Sequence, residues 1–200
     1  MKEHYICLAT CFNIYPWEDD DVWFEKSLTE SEIKWDKQKW NDPLVDWSKY
    51  TLVIPRSVWD YAGKYAEFMK WVDHVATVSK MLNSPKLIRW NVDKHYLKDL
   101  AEAGVRVAPS YWLEVGDKPD MRQVMTSNGW KKGLIKPVFG QGARECLRFE
   151  ANEAGFKAAQ EHVDRLLPTE ALIVQPYLHL VEKIGEVSAI FYNYKLAQVV

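Results

Sequence analysis

A lysine followed by two closely spaced glycines is the first combination in the sequence that could do chemistry. Lys136 lies in the apolar run 134–138, and Gly140 and Gly142 follow in a segment with loop composition. Glycines let main-chain N–H groups approach an anion without a Cβ in the way, and a nearby lysine adds a positive charge. The spacing is therefore typical of a polyphosphate site. An ordinary hairpin with an exposed lysine is the alternative.

Arg56 and Ser57 form a second candidate site. They follow the apolar run 51–54, which predicts a buried strand. In open α/β sheets, ligands bind beyond the carboxyl ends of the strands, so both side chains are candidates for holding a substrate anion. A structural alternative also fits the sequence. Ser57 or Asp60 could begin the next helix as its N-cap, with Arg56 paired to an acid at the surface.

Lys94 is a third candidate. Asn91 is a suitable N-cap and Gly104 is a natural stop, so the sequence predicts a helix between them. Its apolar stripe consists of Leu97 and Leu100. Lys94 then lies in the first turn, where a cation opposes the helix dipole unless an anion offsets it. This placement hints at a bound anion, and a solvated lysine is the alternative.

The elements that must position these residues differ between the two halves of the chain. In the first half, strand patterns at 5–9, 32–35 and 51–54 alternate with helix patterns that begin after the acidic cluster 19–21 and at residue 65. This alternation predicts a parallel sheet with helices on its faces. The second half is richer in strands and is expected to contain antiparallel pairs. Its predicted strands are 105–109, 133–138, 145–149, 171–174, 185–192 and 196–200, and its predicted helices are 119–126 and 152–167, the latter capped by Asn152.

Composition excludes several classes of protein. The formal net charge is −2, so no overall field attracts nucleic acid or an anionic membrane. Three cysteines without paired spacing and five histidines without an H-x-x-x-H pair disfavour disulfides and zinc, which predicts a reducing cytoplasm. We expect no signal peptide and no membrane span. The sequence also lacks the Walker A, G-x-G-x-x-G and G-x-S-x-G motifs.

Five short stretches, in this order and spacing, resemble the ATP-grasp superfamily. The resemblance is closer to a bacterial glutathione-synthetase-like group that includes a cyclo-ligase of cycloserine biosynthesis. None of the stretches is specific alone, but together they run through nearly the whole chain. They are D-W-S-K-Y at 46–50, R-S-V-W-D-Y at 56–61, R-W-N-V-D-K at 89–94, I-K-P at 135–137 and V-Q-P-Y-L at 174–178.

The resemblance implies an α/β fold in three parts. Residues 1–86 would form an N-terminal, Rossmann-like domain with a parallel sheet, and residues 87–172 the first α+β subdomain of an ATP-grasp module. Residues 173–200 would form the hinge and the opening strands of a second subdomain. An unpaired sheet edge near Val200 is expected to favour either a homodimer or disorder of the last residues.

The resemblance also implies which residues bind ATP. Lys94 and Lys136 would bind the phosphates, main-chain groups near Gln175 and Leu178 would read the adenine edge, and Glu186 would accept hydrogen bonds from the ribose. The complete implied set is Lys94, Lys136, Gly140, Gln141, Gly142, Arg144, Gln175, Tyr177, Leu178 and Glu186. Arg56 and Ser57 would hold the substrate.

The implied activity is ligation of a carboxylate to an amine through an acylphosphate, with ATP and Mg²⁺. Such catalysis relies on positioning and charge, so no catalytic nucleophile is predicted. The Mg²⁺ ligands are expected beyond residue 200, so this chain is predicted to contain no metal ligand and to be inactive alone. The expected partners are ATP and a small carboxylate. One alternative is a non-catalytic nucleotide-binding or interaction module that keeps the ATP-grasp fold, suggested by the missing metal ligands and by Glu145 beside the phosphate loop. Another is a dinucleotide-binding oxidoreductase.

Overall fold

The computed structural model describes residues 4–12, 21–185, 187–192 and 194–199. Its contacts divide the chain into two compact units. The first unit contains Met1–Val107 and Pro137–Glu145, and the second contains Ala108–Lys136 and Cys146–Val200. The domain limits at residues 86 and 172 stay a prediction.

The first unit is built on a parallel sheet, as predicted. Its strand order is β2-β1-β3-β4, and every neighbouring pair is parallel. The elements are β1 (Tyr5–Thr10), α1 (Val22–Glu30), β2 (Lys34–Lys39), β3 (Leu52–Ser57), α2 (Tyr65–Val78), β4 (Lys80–Met81), α3 (Pro85–Val92) and α4 (Tyr96–Glu102).

The central strand β1 is buried on both faces. Cys7 and Ala9 belong to the core that includes α2, whereas Leu8 packs with Leu28 of α1 on the other face. Strands covered on both faces read as continuous apolar runs, because neither set of alternate side chains meets water. This burial explains why β1 could be predicted directly. The edge strand β2 is polar and half-exposed, so the prediction at 32–35 found only its beginning.

The second unit is dominated by antiparallel pairs, as predicted. A four-stranded sheet has the order β5-β8-β6-β7, and a separate two-stranded sheet pairs β9 with β10. The elements are β5 (Tyr111–Leu113), α5 (Met121–Ser127), β6 (Lys132–Pro137), β7 (Leu147–Glu150), α6 (Glu153–Leu166), β8 (Leu172–Pro176), α7 (His179–Ile184), β9 (Ala189–Tyr192) and β10 (Lys195–Val199).

Residues from α5 and α6 cover one face of the four-stranded sheet. Met125, Ile135, Phe149 and Val163 are all buried in the same core. Gly133 is required there, because a Cβ at this position would lie 2.7 Å from the Phe149 ring. The second unit therefore has one buried sheet face and one face that is not part of this core.

Helix α6 begins as the sequence predicts. The Asn152 side chain accepts a hydrogen bond from the Gly155 N–H at 2.9 Å and caps the helix. Gly155 has no room for a side chain, because an added Cβ would fall on the carbonyl oxygen of Glu150. The cap and this close approach together fix the turn from β7 into α6.

The prediction of a helix starting at Asn91 was wrong. Asn91 lies in the last turn of α3, which begins one residue after Ser84, and the Ser84 Oγ accepts a hydrogen bond from Leu87 N. Serine followed by proline is a strong helix start, because the missing N–H of proline is not needed in the first turn. Lys94 therefore lies between α3 and α4, outside any helix.

Two further element predictions were wrong. Residues 105–109 do not form a strand, because the Val105 N–H closes the end of α4 by bonding to Leu100 O at 2.9 Å. The predicted strand at 185–192 is reduced to β9, and the short helix α7 before it was not predicted. Within the described part of the chain, no helix is long and apolar enough to cross a membrane.

Candidate functional site

A buried carboxylate organises the carboxyl end of β3. Arg56 donates a hydrogen bond from Nε to Asp21 Oδ1 at 2.6 Å, and Ser57 donates from Oγ to Asp21 Oδ2 at 3.0 Å. The ladder between β1 and β3 shifts here, because Ala9 pairs with Pro55 and Thr10 pairs with Ser57. Arg56 is thus the extra residue of a bulge, which lets two successive side chains reach one carboxylate.

The two predicted substrate residues are therefore already paired with an acid of the protein. The Asp21 side chain is 1% exposed, while that of Arg56 is 40% exposed and lies over the Phe24 ring. Ser57 belongs to β3 and does not cap a helix. Asp60 lies in a 3₁₀ turn and accepts a hydrogen bond from Trp40 Nε1 at 2.6 Å. Arg56 is thus paired, as in the structural alternative, but its partner is buried and neither Ser57 nor Asp60 caps the next helix.

Asp21 was not identified as a site residue from the sequence. Its place in the acidic cluster 19–21 suggested a helix start, and it is indeed the N-cap residue of α1. However, its side chain makes no capping hydrogen bond. The signal for Asp21 would have been an acid that does not cap its helix and lies next to the end of a buried strand. That combination can be recognised only in the folded structure.

Lys94 contacts the predicted glycine loop. Its Nζ donates hydrogen bonds to Gly140 O at 2.6 Å and to Val138 O at 3.2 Å, and its main-chain N–H also bonds to Val138 O. The structure therefore brings together two of the predicted ATP-binding positions, Lys94 and Gly140. Lys94 Nζ donates to carbonyl oxygens of the loop, which are hydrogen-bond acceptors as phosphate oxygens are.

Other side chains also hold the glycine loop within the first unit. Gln141 donates from Nε2 to Trp59 O, and the Phe139 ring packs against the Tyr65 ring with centroids 4.4 Å apart. Arg144 donates to Phe139 O at 3.1 Å, inside the loop itself. The loop is thus anchored at both ends and at its tip.

The backbone of this loop takes an uncommon path. Gly142, Ala143 and Glu145 all have positive φ angles, of 61°, 57° and 51°. Only glycine adopts this region without strain, and strained non-glycine residues cluster at functional sites. Turns with such residues form concave arrangements of N–H groups that suit anions. The loop geometry is compatible with the predicted phosphate role.

In the second unit, Lys136 lies on a cationic sheet face. Residues of β6 alternate between buried and half-buried, and Lys136 falls in the half-buried set with Lys132. Arg148 of β7 lies opposite Leu134 in the ladder, and opposite residues share a face. Three cations therefore project from the face that α5 and α6 leave uncovered. Lys132 and Arg148 were missed, although the period of two in K-G-L-I-K could have revealed Lys132.

Tyr177 lies on the same network of charges. Its hydroxyl donates to Glu182 Oε1 at 2.8 Å and accepts from Arg148 at 3.1 Å, while Lys132 Nζ lies 4.5 Å from the ring centroid. The hydrogen bond to Glu182 raises the pKa of Tyr177, and the same bond lowers the pKa of Glu182. Tyr177 itself is buried, whereas Arg148 and Glu182 are exposed, so these two charged side chains are the members that can exchange partners with a ligand.

The predicted hinge residues follow β8. Gln175 is buried and its amide donates to Ser110 Oγ at 2.8 Å. The β5 ladder ends where Tyr111 pairs with Val174, so the main chain from Gln175 to Leu178 runs past its end. The Leu178 side chain is about half-exposed. Glu186, predicted to bind the ribose, lies outside the described residues.

The donor groups present differ in how well they fit phosphate and metal. Lysine and arginine side chains on the exposed sheet face suit the charge of a polyphosphate. In the described ranges, no group of three or more His, Cys, Asp or Glu side chains is placed to hold a metal ion.

Solved structures with the same arrangement identify the class of fold. The crystal structure of D-cycloserine synthetase DcsG matches 98% of this chain and 66% of its own, with a TM-score of 0.90 and 28% identity. The D-alanine–D-alanine ligase from Bacillus anthracis complexed with ATP matches 88% of this chain and 59% of its own, with a TM-score of 0.56 and 12% identity. The chain has the ATP-grasp fold.

Sequence relatives narrow this class. Residues 6–83 match the family model of the D-cycloserine synthetase DcsG N-terminal domain. The cycloserine biosynthesis protein DcsG of Streptomyces lavendulae is 32% identical over 158 residues, which are 77% of this chain and 52% of that protein. The chain spans about half the length of this curated relative. The chain has the ATP-grasp fold and is similar to D-cycloserine synthetase, as the sequence resemblance predicted.

Proposed function

We propose that the protein binds ATP and is the amino-terminal portion of an ATP-dependent ligase. The ligase would join a small carboxylate to an amine through an acylphosphate. The observation that carries this proposal is the cationic face of β6 and β7, with Lys136 immediately before the glycine loop in the chain. The relationship to D-cycloserine synthetase supports the class of reaction. The substrate itself is not specified by that relationship.

In this proposal, Lys136 neutralises phosphate charge from the sheet face. The N–H groups of residues 140–144 bind phosphate oxygens, and Lys94 exchanges its loop carbonyls for phosphate when the nucleotide is present. These groups accelerate phosphoryl transfer by holding the reactants and stabilising charge, without a covalent bond to the protein. ATP is the source of the phosphoryl group.

The nucleoside is assigned to the segment after β8. Main-chain groups of Gln175 and Leu178 lie beyond the β5 ladder and offer donors and acceptors to the edge of a base. Tyr177 contributes its ring and its charged neighbours to the same segment. Glu186 is assigned to the ribose by the resemblance alone.

The carboxylate substrate is assigned to Arg56 and Ser57. Asp21 occupies part of their hydrogen-bonding capacity, so the substrate must approach the exposed side of the Arg56 guanidinium. An arginine fixed by a buried acid is preorganised, because its orientation is already set before the ligand arrives. Asp21 is then a positioning residue for the substrate anion.

Calorimetric titration with a non-hydrolysable ATP analogue tests the proposal, with and without Mg²⁺. We expect Lys136→Met to weaken binding by about 10- to 100-fold, because a charge-assisted hydrogen bond contributes about 1.5–3 kcal/mol. Lys157→Met is the matched control, since Lys157 is 79% exposed on α6. Equal affinity of the wild type and Lys136→Met would rule out this role for Lys136.

A second candidate function is a non-catalytic module that keeps the fold. The observation in its favour is that Lys94 is already bonded to two loop carbonyls and so acts as a structural tether. Lys94→Met separates the two functions. If Lys94 is only a tether, the substitution lowers thermal stability and leaves analogue affinity unchanged; if it binds phosphate, analogue affinity falls as well.

A further inference from the structure

A cavity of about 310 Å³ lies in the first unit between α2 and the segment that follows β2. Its lining residues come from within 40–47 of that segment and from within 67–74 of the helix. None of the described residues assigned above to ATP or to the carboxylate substrate lines it. Its volume is in the range of small-molecule sites. The cavity is therefore a candidate site that the proposed function does not use.

Three tryptophans form most of the apolar wall of this cavity. Trp40 and Trp47 each pack against Trp71, with ring centroids 6.0 and 5.4 Å apart and interplanar angles of 62° and 74°. All three rings are buried in one core, so close packing fixes their positions. Rings that meet at such steep angles form a bent surface. The cavity therefore has a preformed aromatic wall that suits the apolar part of a ligand.

Two buried polar atoms of the lining residues lack a hydrogen-bond partner. They are Trp71 Nε1 and Asn41 Oδ1, and neither has a partner in the part of the chain that the structure describes. Trp71 is 7% exposed. Trp40 differs, because its Nε1 donates to Asp60 Oδ1 at 2.6 Å. Since buried polar groups nearly always have partners, a donor and an acceptor left open at one cavity indicate a ligand that offers both.

Charged side chains of both signs also line the cavity. Asp42 and Glu67 are acids, and Lys70 is a base. A ligand with a single charge would be attracted by one sign and repelled by the other. A ligand that carries both charges can pair with each. The lining therefore favours a zwitterion over a simple anion or cation.

We propose that this cavity binds a free amino acid with an apolar side chain. Its carboxylate accepts a hydrogen bond from Trp71 Nε1, its ammonium group donates to Asn41 Oδ1, and its side chain packs on the tryptophan rings. Asp42, Glu67 and Lys70 balance its two charges. The proposal goes beyond the proposed function and does not rest on it, because only groups of the first unit are involved.

Calorimetric titration with matched probes tests the ligand class. The probes are leucine, phenylalanine and tryptophan in both enantiomers, each compared with its N-acetyl derivative, which lacks the ammonium charge, and its carboxamide, which lacks the carboxylate charge. We expect at least one free amino acid to bind about fivefold or more tightly than both derivatives, because hydrogen bonds to charged groups are about twice as strong as neutral ones. No binding of any free amino acid, or equal binding of all three forms, overturns the proposal.

Asn41→Leu tests the open acceptor. The substitution keeps the approximate size of the side chain and removes an oxygen that has no partner among the described residues. We expect the affinity for the amino acid to fall about tenfold or more, because its ammonium group loses an acceptor. The urea midpoint of the free protein should not fall, because no hydrogen bond of that oxygen is lost. An unchanged affinity overturns the proposal.

Asn152→Leu is the matched control. The Asn152 side chain already accepts a hydrogen bond from Gly155 N at 2.9 Å. Its replacement should lower the urea midpoint and leave the affinity for the amino acid unchanged, which is the reverse of the result expected for Asn41→Leu. Equal losses of affinity in the two variants would show that binding follows general stability and would overturn the assignment to this cavity.

A variant that fills the cavity locates the binding. His74 lines the cavity from α2 and is exposed, so His74→Trp can occupy the space without disturbing the core. Ala76→Trp is the control, since Ala76 is exposed on the same helix and is not a lining residue. We expect a loss of about tenfold or more in amino-acid affinity for the first variant only. An unchanged affinity in His74→Trp overturns the proposal, and circular dichroism checks that both variants retain the fold.

Titration of the ATP analogue into the same samples separates this proposal from the proposed function. Amino-acid binding that is lost in His74→Trp supports the cavity assignment whether or not the analogue binds. Analogue binding without amino-acid binding supports ATP use and overturns the cavity assignment. A crystal structure of the protein grown with the tightest probe completes the test, and water alone at Trp71 Nε1 would overturn the proposal.

Discussion

The two units each contain a cluster of the same three groups, a carboxylate, an arginine and a hydroxyl. In the first unit they are Asp21, Arg56 and Ser57, and in the second unit they are Glu182, Arg148 and Tyr177. Both carboxylates accept a hydrogen bond from the hydroxyl. The chemistry of the two clusters is alike, and their surroundings are not.

Burial separates the clusters. The Asp21 side chain is 1% exposed, whereas that of Glu182 is 48% exposed. A buried carboxylate cannot be rehydrated when its partner is lost, so its pairing is obligatory, while an exposed ion pair contributes little because water replaces either partner. The first cluster is therefore a fixed framework that orients Arg56. The second is a surface cluster whose exposed charges can change partners.

The largest effect should come from breaking the buried cluster. Asp21→Asn keeps the shape but removes the charge, and it places one amide donor against the donors of Arg56 and Ser57. We expect a loss of about 2 to 3 kcal/mol in the free energy of unfolding, below the usual cost of a fully buried pair because Arg56 is partly exposed. Urea denaturation followed by tryptophan fluorescence measures it.

A matched control exists in the same unit. Asp73 pairs with Arg89 at the surface, with side-chain exposures of 60% and 43%. Asp73→Asn should change the free energy of unfolding by less than about 1 kcal/mol. If both aspartate variants lose the same amount, burial does not distinguish the clusters and the comparison fails.

The cationic face of the second unit shows how far sequence reasoning reaches. Lys136 could be predicted because successive side chains of a strand point to opposite faces of the sheet. Its position in the apolar run therefore places it on the face opposite to the buried residues. The same parity places Lys132. Local rules would have placed both lysines, because both belong to one strand whose other face is buried, but only Lys136 was identified from the sequence.

The site of the first unit was predicted less completely. Asp21 and Arg56 are 35 residues apart in sequence, and only the bulge opposite Thr10 brings Arg56 and Ser57 to one carboxylate. Lys94 was assigned to a helix because Asn91 is a good cap. Ser84, which is followed by proline, caps α3 instead, and Asn91 lies in the last turn of that helix. Neither the pairing of Asp21 with Arg56 nor the choice of Ser84 over Asn91 as the helix cap can be predicted from one short segment of sequence alone.

An intermediate effect should come from the hydroxyl of the buried cluster. Ser57 is 2% exposed, and Ser57→Ala removes one hydrogen bond to Asp21 while Arg56 still compensates the charge. We expect a loss of about 1 to 1.5 kcal/mol in the free energy of unfolding. The same denaturation experiment measures it. A loss as large as that of Asp21→Asn would mean that the serine, and not the charge, holds the framework.

The smallest effect on stability should come from Glu182→Gln in the exposed cluster. Water can replace Glu182 at the exposed Arg148, and Tyr177 keeps its hydrogen bond from Arg148, so the denaturation midpoint should move less than in Ser57→Ala. A shift equal to that of Asp21→Asn would show that the exposed cluster is a framework too.

The titration of Tyr177 resolves this exposed cluster more finely than stability does. Its pKa is raised by the hydrogen bond to Glu182, so its contribution is present below the ordinary phenol value of about 10 and is lost as pH rises through the folded pKa. Glu182 has a lowered pKa, so its contribution is present above about 4.3 and is lost as pH falls through the folded pKa.

Absorbance titration at alkaline pH measures this effect. The chain has ten tyrosines, so the difference between the wild type and Tyr177→Phe isolates the one phenol. In Glu182→Gln, the same difference should move to lower pH, because the amide no longer favours the protonated hydroxyl. An unmoved titration would mean that Glu182 does not hold the Tyr177 proton, and the second cluster would then lack the partner that makes it comparable to the first.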